Sequence, residues 1–290
     1  MTPATETVPL VPRQTTRWAQ WIYGGGGDVP LDDPAESYHE ASKVSPRAIG
    51  RQIQGARRLE GSPDLQISAT RAVKRSLHLP TVPLPPPALP EVPLREAIER
   101  RRSERAFADS PIAAAELSTL LHAAYGVTGV LRAPSGEARQ PLRAVPSGGA
   151  LYPLEVYVAA LRVEGLEPGL YHYDPLRPAL EIVRLGESAE RVADLSTYPE
   201  IVTASGAVLI LTAMFWRTRF KYGLRGYRFA LLEAGHVVQN VVLAATGLGL
   251  AEVPLGGYYD RLTDDFLGID GANESTLYLL SAGRGREGEA

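Results

Sequence analysis

The sequence predicts an α+β fold: a sheet flanked by helices, preceded by an irregular N-terminal extension. Three observations lead there. Short runs rich in β-formers, such as LEVYVAAL (154–161) and AVLILTA (207–213), mark strands. Apolar residues at helical spacing, such as Leu117, Leu120, Leu121 and Ala124, mark helices. The two kinds do not alternate regularly, so a parallel βαβ winding is not expected. With 290 residues, 44% of them hydrophobic, the chain can bury one substantial core.

Residues 1–79 read as irregular. Gly24–Gly27 is a four-glycine run without the Lys-Ser/Thr of a phosphate loop, and reads as a flexible turn. SYHEASK (37–43) is polar, with His39 beside Glu40 as a surface pair. Residues 80–93 hold seven prolines in fourteen positions. Proline donates no backbone hydrogen bond and favours extended geometry, so this is a strap or linker. It sets the domain boundary, with an extension over 1–92 and the folded domain over 93–290.

Past the boundary, Leu94, Ala97 and Ile98 begin a helix that runs into RRRSER. The Leu117 helix closes at Gly126, a plausible C-cap. GLYHYDPLRPALEIVRL (169–185) reads as a hairpin turning at Asp174-Pro175. The unbroken apolar run 207–213 is a strand buried on both faces. Tyr227–Thr246 is a long helix, apolar on most sides, expected at a core or dimer interface. TLYLLSAG (276–283) is a last strand, and no internal repeat is present.

Composition excludes several functions. The net charge is −3, which argues against a general nucleic-acid binder. Cysteine is absent, so there is no disulfide, thiolate metal site or cysteine nucleophile. The N-terminus lacks an apolar core of signal-peptide length. The run Ala207–Trp216 is about half of the ~20 residues a membrane span needs. The expectation is a soluble, cytoplasmic protein with no membrane partner. The five histidines form no HExxH pair, so no metal site is expected, and no GxSxG elbow occurs. GLGLAE (247–252) follows a helix, whereas a dinucleotide fingerprint follows a strand.

Three clusters remain. In RRSER, Arg101, Ser103 and Arg105 share a face if the segment is extended. If the helix continues, Arg101 and Arg105 still do. Two guanidinium forks and a hydroxyl suit a phosphate monoester, while the plain reading is a helix end paired with Glu99 and Glu104. VPSGGALYP (145–153) lets backbone amides approach a flat ligand, or is a simple loop. VPLGGYYD (253–260) exposes amides at Gly256 and Gly257, or is a turn. A further stretch, RTRFKYGLRGYRF (217–229), packs Arg217, Arg219, Lys221, Arg225 and Arg228 among Tyr222 and Tyr227. It reads as a solvated helix end or as one wall of an active site.

The order of these clusters resembles the FMN-dependent nitroreductase superfamily. PSGGALYPLEVYV, GLYHYD, KYGLRGYRFALLEAGH and QNVVLAATGLGL narrow the resemblance to the SagB-type azoline dehydrogenases, and YHEASK is similar to a short N-terminal motif of that group. The resemblance covers residues 93–285. It implies a nitroreductase-like fold with a central, mostly antiparallel sheet. Arg101, Ser103 and Arg105 would then hold the phosphate and ribityl chain of FMN. Pro146, Ser147 and Gly148 would border the isoalloxazine, Gly256 and Gly257 would present amides near N5, and Arg284 would complete the phosphate site. The flavin would lie at a homodimer interface. An Asn usual in the Pro-Ser loop of shorter nitroreductases is missing, which weakens the case for simple nitro or quinone reduction.

The resemblance also gives the basic stretch a use. Lys221-Tyr222 matches a Lys-Tyr pair implicated in proton removal. Aromatising an azoline takes a hydride from one ring carbon and a proton from its neighbour, so it needs both a flavin and a base. The first reading is therefore an FMN-dependent dehydrogenase oxidising azolines to azoles in a ribosomally made peptide. Oxygen would reoxidise the flavin, and a cyclodehydratase complex is a possible partner. The rivals are an NAD(P)H-dependent nitro or quinone reductase, and a non-catalytic flavin-binding subunit.

Overall fold

The computed structural model describes residues 34–44, 46, 54–70, 73–132 and 139–286; the Gly24–Gly27 run lies outside them. The chain divides into two compact units, residues 1–43 and 44–290. In the first, Pro34–Ala41 forms helix α1, after which the Ser42 hydroxyl donates to Tyr38 O at 2.6 Å.

The second unit holds the remaining elements. It begins with helices α2 (Gln54–Glu60) and α3 (Pro63–Thr70). Each spans about two turns, too few for an apolar period to repeat, which is why polar sequence concealed them. The proline-rich segment is tied down. Its Thr81–Pro83 forms strand β1, which pairs with β6 (Ala179–Leu185) at the sheet edge, where proline is tolerated. The Ser118 hydroxyl donates to Pro85 O at 2.6 Å. Pro90 approaches so closely that a Cβ on Gly247 would lie 2.4 Å from its ring.

The other sheet strands are β4 (Leu154–Ala160), β5 (Gly169–Asp174), β7 (Ala207–Met214), β8 (Leu250–Leu255) and β9 (Glu274–Arg284). Their order is β1-β6-β5-β4-β7-β9-β8, and all six neighbouring pairs are antiparallel. Strands β2 (Val127–Arg132) and β3 (Arg139–Arg143) form a separate ribbon. Sequence reading passed over β8 because Glu252 and Pro254 interrupt its apolar pattern, and over the β2–β3 ribbon because its apolar residues Val127, Val130 and Leu131 do not alternate.

Strand alternation feeds two cores. Leu154, Val156, Leu209 and Leu211 face α5 (Ala114–Tyr125) and α9 (Arg225–Leu248). Tyr157, Val208 and Ile210 face the other side, covered by α6 (Ala189–Ala193), α7 (Pro199–Ala204) and α10 (Asp260–Leu267). The unbroken apolar run of β7 follows from burial on both faces. Two short helices complete the unit, α4 (Leu94–Arg100) and α8 (Trp216–Tyr222).

The long helix begins after a break at Gly223, where φ is 57°. Val237, Val238, Val241 and Val242 are buried in the chain's own core, so they are not a surface awaiting a second subunit. The large apolar residues that α9 exposes are Leu231 (44%) and Leu232 (61%). By length and composition α9 could cross a bilayer, but half of its apolar window is buried inside the protein.

Candidate active site

Helix α8 ends on Lys221 and Tyr222, and Gly223 stops it there. Both side chains reach the Pro-Ser-Gly-Gly loop. A Cβ built on Gly149 would lie 2.6 Å from Tyr222 Oη and 2.8 Å from Lys221 Nζ, so the two polar ends converge on that glycine. Gly149 also has φ 67°, a second reason for glycine. Lys221 Nζ lies 5.2 Å from the Tyr222 ring centre. Tyr222 meets Phe229 of α9 edge-on at 5.0 Å. Phe229 closes in on Gly148, where a Cβ would be 3.1 Å from its ring. Pro146 and Gly149 are exposed, while Ser147 and Gly148 are half-buried. An ammonium and a phenol side by side over an open loop can exchange a proton with a bound molecule.

The loop is backed by polar groups. Ser147 Oγ accepts from Tyr152 N at 2.9 Å, and Tyr125 Oη donates to Glu233 Oε1 at 2.5 Å. Sequence reading missed Gly149, Phe229 and Glu233. All three lie within quoted motifs, but only folding shows which way they point.

The structure resolves the alternatives for RRSER. Helix α4 stops at Arg100, and Arg101 turns extended with φ −50° and ψ 122°. Arg101 Nη1 lies 3.4 Å from Ser103 Oγ, and Arg105 Nη1 lies 3.4 Å from Ser103 O. The neighbouring carboxylates are taken, Glu99 by Arg95 and Glu96 by Arg100. Among the described residues neither Arg101 nor Arg105 forms an ion pair. Glu104 N donates to Glu252 O at 2.9 Å, which lays the segment along β8. Glu252 is buried, and neither of its carboxylate oxygens has a partner among the described residues. Burial raises its pKa to about 7, with Arg101 opposing and Glu104 adding.

Gly256 is exposed, and a Cβ there would meet nothing within 4 Å. Gly257 is crowded: its carbonyl accepts from Thr197 N at 3.0 Å, and a Cβ would lie 2.2 Å from Thr197 Oγ1. Arg284 O accepts from Ala108 N at 2.8 Å, beside the RRSER segment, but its guanidinium pairs with Glu116 at 2.7 Å. Among the described residues no group of three His, Asp or Glu is placed to hold a metal.

Part of the basic stretch is structural. Arg217 pairs with buried Glu155 at 2.5 Å, and Arg219 stacks over Trp216 at 4.7 Å. Burial pushes Glu155 up, but Arg217 and His172 hold its pKa down at about 2. Burial would lower the pKa of His172, yet its ring nitrogens bond Glu155 at 2.9 Å and Glu181 at 3.0 Å, and the net pKa is about 9. The chain after α3 joins this network: Lys74 N donates to Glu155 at 3.0 Å, and Lys74 Nζ to Glu274 at 2.6 Å. Helix α2 also packs on α8, since a Cβ on Gly55 would lie 2.0 Å from Phe220 O. The extension from residue 54 onward therefore braces the helix that carries Lys221 and Tyr222.

Comparison with known proteins places this geometry. A Methanocaldococcus jannaschii protein named for nitroreductase is 38% identical over 198 residues, covering 68% of this chain and 94% of that protein. The microcin B17-processing protein McbC of Escherichia coli is 37% identical over 140 residues, covering 47% of this chain and only 50% of McbC. Among solved structures, a chain of the Escherichia coli microcin synthetase McbBCD complex with truncated pro-MccB17 bound superposes with a TM-score of 0.56 and 25% identity. It covers 88% of this chain and 95% of that one. The pattern of the nitroreductase family matches residues 98–284, across the sheet, the Pro-Ser-Gly-Gly loop and both helices of the Lys-Tyr segment, and the chain belongs to that family.

Proposed function

We propose that this protein is an FMN-dependent azoline dehydrogenase that forms azoles in a peptide. The observation that carries the reading is the convergence of Tyr222 Oη and Lys221 Nζ on Gly149. A nitro or quinone reductase needs no proton acceptor of this kind beside its substrate. The similarity to a microcin-processing protein, and to a structure holding a truncated precursor, supports a peptide substrate and a synthetase-type partner.

The residues present fit FMN. Arg101 and Arg105 flank Ser103 without carboxylate partners, as an anion cradle requires, and the Glu252 oxygens beside them lack donors that a polyol could supply. Gly256 is exposed and a Cβ there would meet nothing within 4 Å, so its backbone is open to a flat ring. In this reading Arg101, Ser103 and Arg105 hold the phosphate, and Pro146, Ser147, Gly148, Gly256 and Gly257 border the ring. Bound FMN supplies a two-electron acceptor for the hydride. Tyr222, as its phenolate, takes the ring proton and becomes the phenol, and the Lys221 ammonium beside it balances the phenolate's charge. The reading carries a cytoplasmic homodimer with it, in which Leu231 and Leu232 are the α9 residues available to a partner. Light scattering on the flavin-loaded protein checks the dimer.

The test is turnover of an azoline peptide, followed by loss of two hydrogens, with flavin content measured in the same samples. Tyr222→Phe and Lys221→Ala should each slow oxidation by ~10²–10⁴-fold with normal flavin content. The double variant should be little worse than either single one if the pair acts as a unit. Near-normal rates in both single variants, or consumption of NAD(P)H with a small nitro compound as the preferred acceptor, would reject the reading.

A further inference from the structure

Glu233 lies on α9 behind the loop, 2% exposed, and proton removal as described does not use it. Two hydroxyls attend its carboxylate. Tyr125 Oη donates to Oε1 at 2.5 Å, the Ser147 hydroxyl lies near enough to favour the charged form, and Oε2 has no hydrogen-bond partner among the described residues. Each hydroxyl also accepts a backbone amide: Ser147 Oγ from Tyr152 N at 2.9 Å, and Tyr125 Oη from Leu154 N at 3.2 Å. Those amides flank Pro153, where the loop becomes strand β4. A hydroxyl has one proton to give, so an acceptor-only carboxylate directs both protons inward and leaves lone pairs facing both amides.

The segment so held is strained. Gly149, Ala150 and Tyr152 have φ of 67°, 52° and 45°, and two of these are not glycine. Non-glycine residues persist in this region only where surrounding contacts over-determine them, and such strain gathers at functional sites. The relay from Glu233 is one such contact. Others are the Gln140 amide donating to Ala150 O at 2.7 Å and Arg217 to Tyr152 O at 3.3 Å.

We propose that Glu233 is a positioning residue: through Ser147 and Tyr125 its carboxylate locks the strained Gly149–Tyr152 turn on which Lys221 and Tyr222 converge. For its link to proton removal the proposal rests on the functional reading above, while the lock itself does not. The groups facing Glu233 are Tyr125 of α5, Arg143 of β3 and Ser147 of the loop. Burial outweighs them and raises its pKa to about 7. An acid raised in the folded state adds stability below its usual range and loses it as pH rises through the folded value. Above neutrality the charged form therefore weakens the fold while it orders the loop, the opposite of what a residue kept for stability would do.

The experiment is amide exchange by NMR at about one pH unit above neutrality, on the flavin-loaded wild type, Glu233→Gln, Ser147→Ala and Tyr125→Phe, with thermal melts beside it. In Glu233→Gln, Tyr152 and Leu154 should both exchange roughly tenfold faster, about the value of one lost hydrogen bond. The melting temperature should not fall. Ser147→Ala should free Tyr152 alone, and Tyr125→Phe should free Leu154 alone. Azoline turnover of the wild type should rise as pH passes neutrality, and that of Glu233→Gln should be lower and lack the step. Unchanged exchange in Glu233→Gln overturns the proposal whatever the activity. So does exchange quickened across the whole sheet with a fallen melting temperature, which would make Glu233 an ordinary structural bond. Exchange as stated in a protein that oxidises no azoline removes the functional reading and leaves the lock standing.

Discussion

Gly149→Ala isolates the placement of the Lys-Tyr pair from its chemistry. The new Cβ would sit 2.6 Å from Tyr222 Oη and 2.8 Å from Lys221 Nζ, where ordinary contact begins at 3.4 Å. The phenol must therefore retreat by roughly 0.8 Å and the ammonium by roughly 0.6 Å. Both are ends of flexible side chains, so yielding costs the fold little. The backbone adds ~1–2 kcal/mol, because alanine disfavours the left-handed φ of 67°. A chain of this length should lose about 2–4 °C of melting temperature per kcal/mol. Catalysis is less forgiving: a displacement of ~1 Å can cost ~10²-fold. The control is Gly165→Ala, where φ is 75° but a Cβ meets nothing within 4 Å. It carries the same backbone penalty without touching the site. Melting curves, flavin content and azoline turnover should show similar losses of stability in both variants and loss of rate in Gly149→Ala alone. Equal rates in the two variants would refute the argument that Lys221 and Tyr222 act from above Gly149.

Two other outcomes follow from charges. Arg101→Ala should weaken FMN retention by ~1.5–3 kcal/mol, about 10- to 150-fold in Kd, measured by fluorescence on reconstitution; unchanged affinity removes the anion cradle. His172 has a folded pKa of about 9 against an ordinary 6.5, so its stabilisation is complete below pH 6.5 and is lost as pH rises through about 9. His172→Gln should flatten the fall in melting temperature across that window, where the wild type loses on the order of 3 kcal/mol. Parallel slopes would show that His172 is not the titrating group.

The elements legible in the sequence are those whose cause is local. The strand 154–160, the hairpin 169–185 and the long helix around Val237–Val242 declare themselves because one side-chain period runs through each. The resemblance to a family pointed to the RRSER arginines and to Lys221-Tyr222 without saying how either set is arranged in space. The sequence could not tell an extended RRSER from a continued helix, because arginines share a face in both. Only the end of α4 at Arg100 decided it. Nor could it divide the basic stretch, since Arg217, Arg219 and Lys221 differ little as text. Tertiary structure gives the first to Glu155, the second to Trp216 and the third to the loop. The valines of α9 show the same limit: an apolar helix states that something must cover it, and packing alone states that the cover is this chain's own sheet and α5. Periodicity and local chemistry are properties of neighbours along the chain. Which buried carboxylate meets which hydroxyl, as Glu233 meets Tyr125 from 108 residues away, depends on contacts that exist only once the sheet has closed.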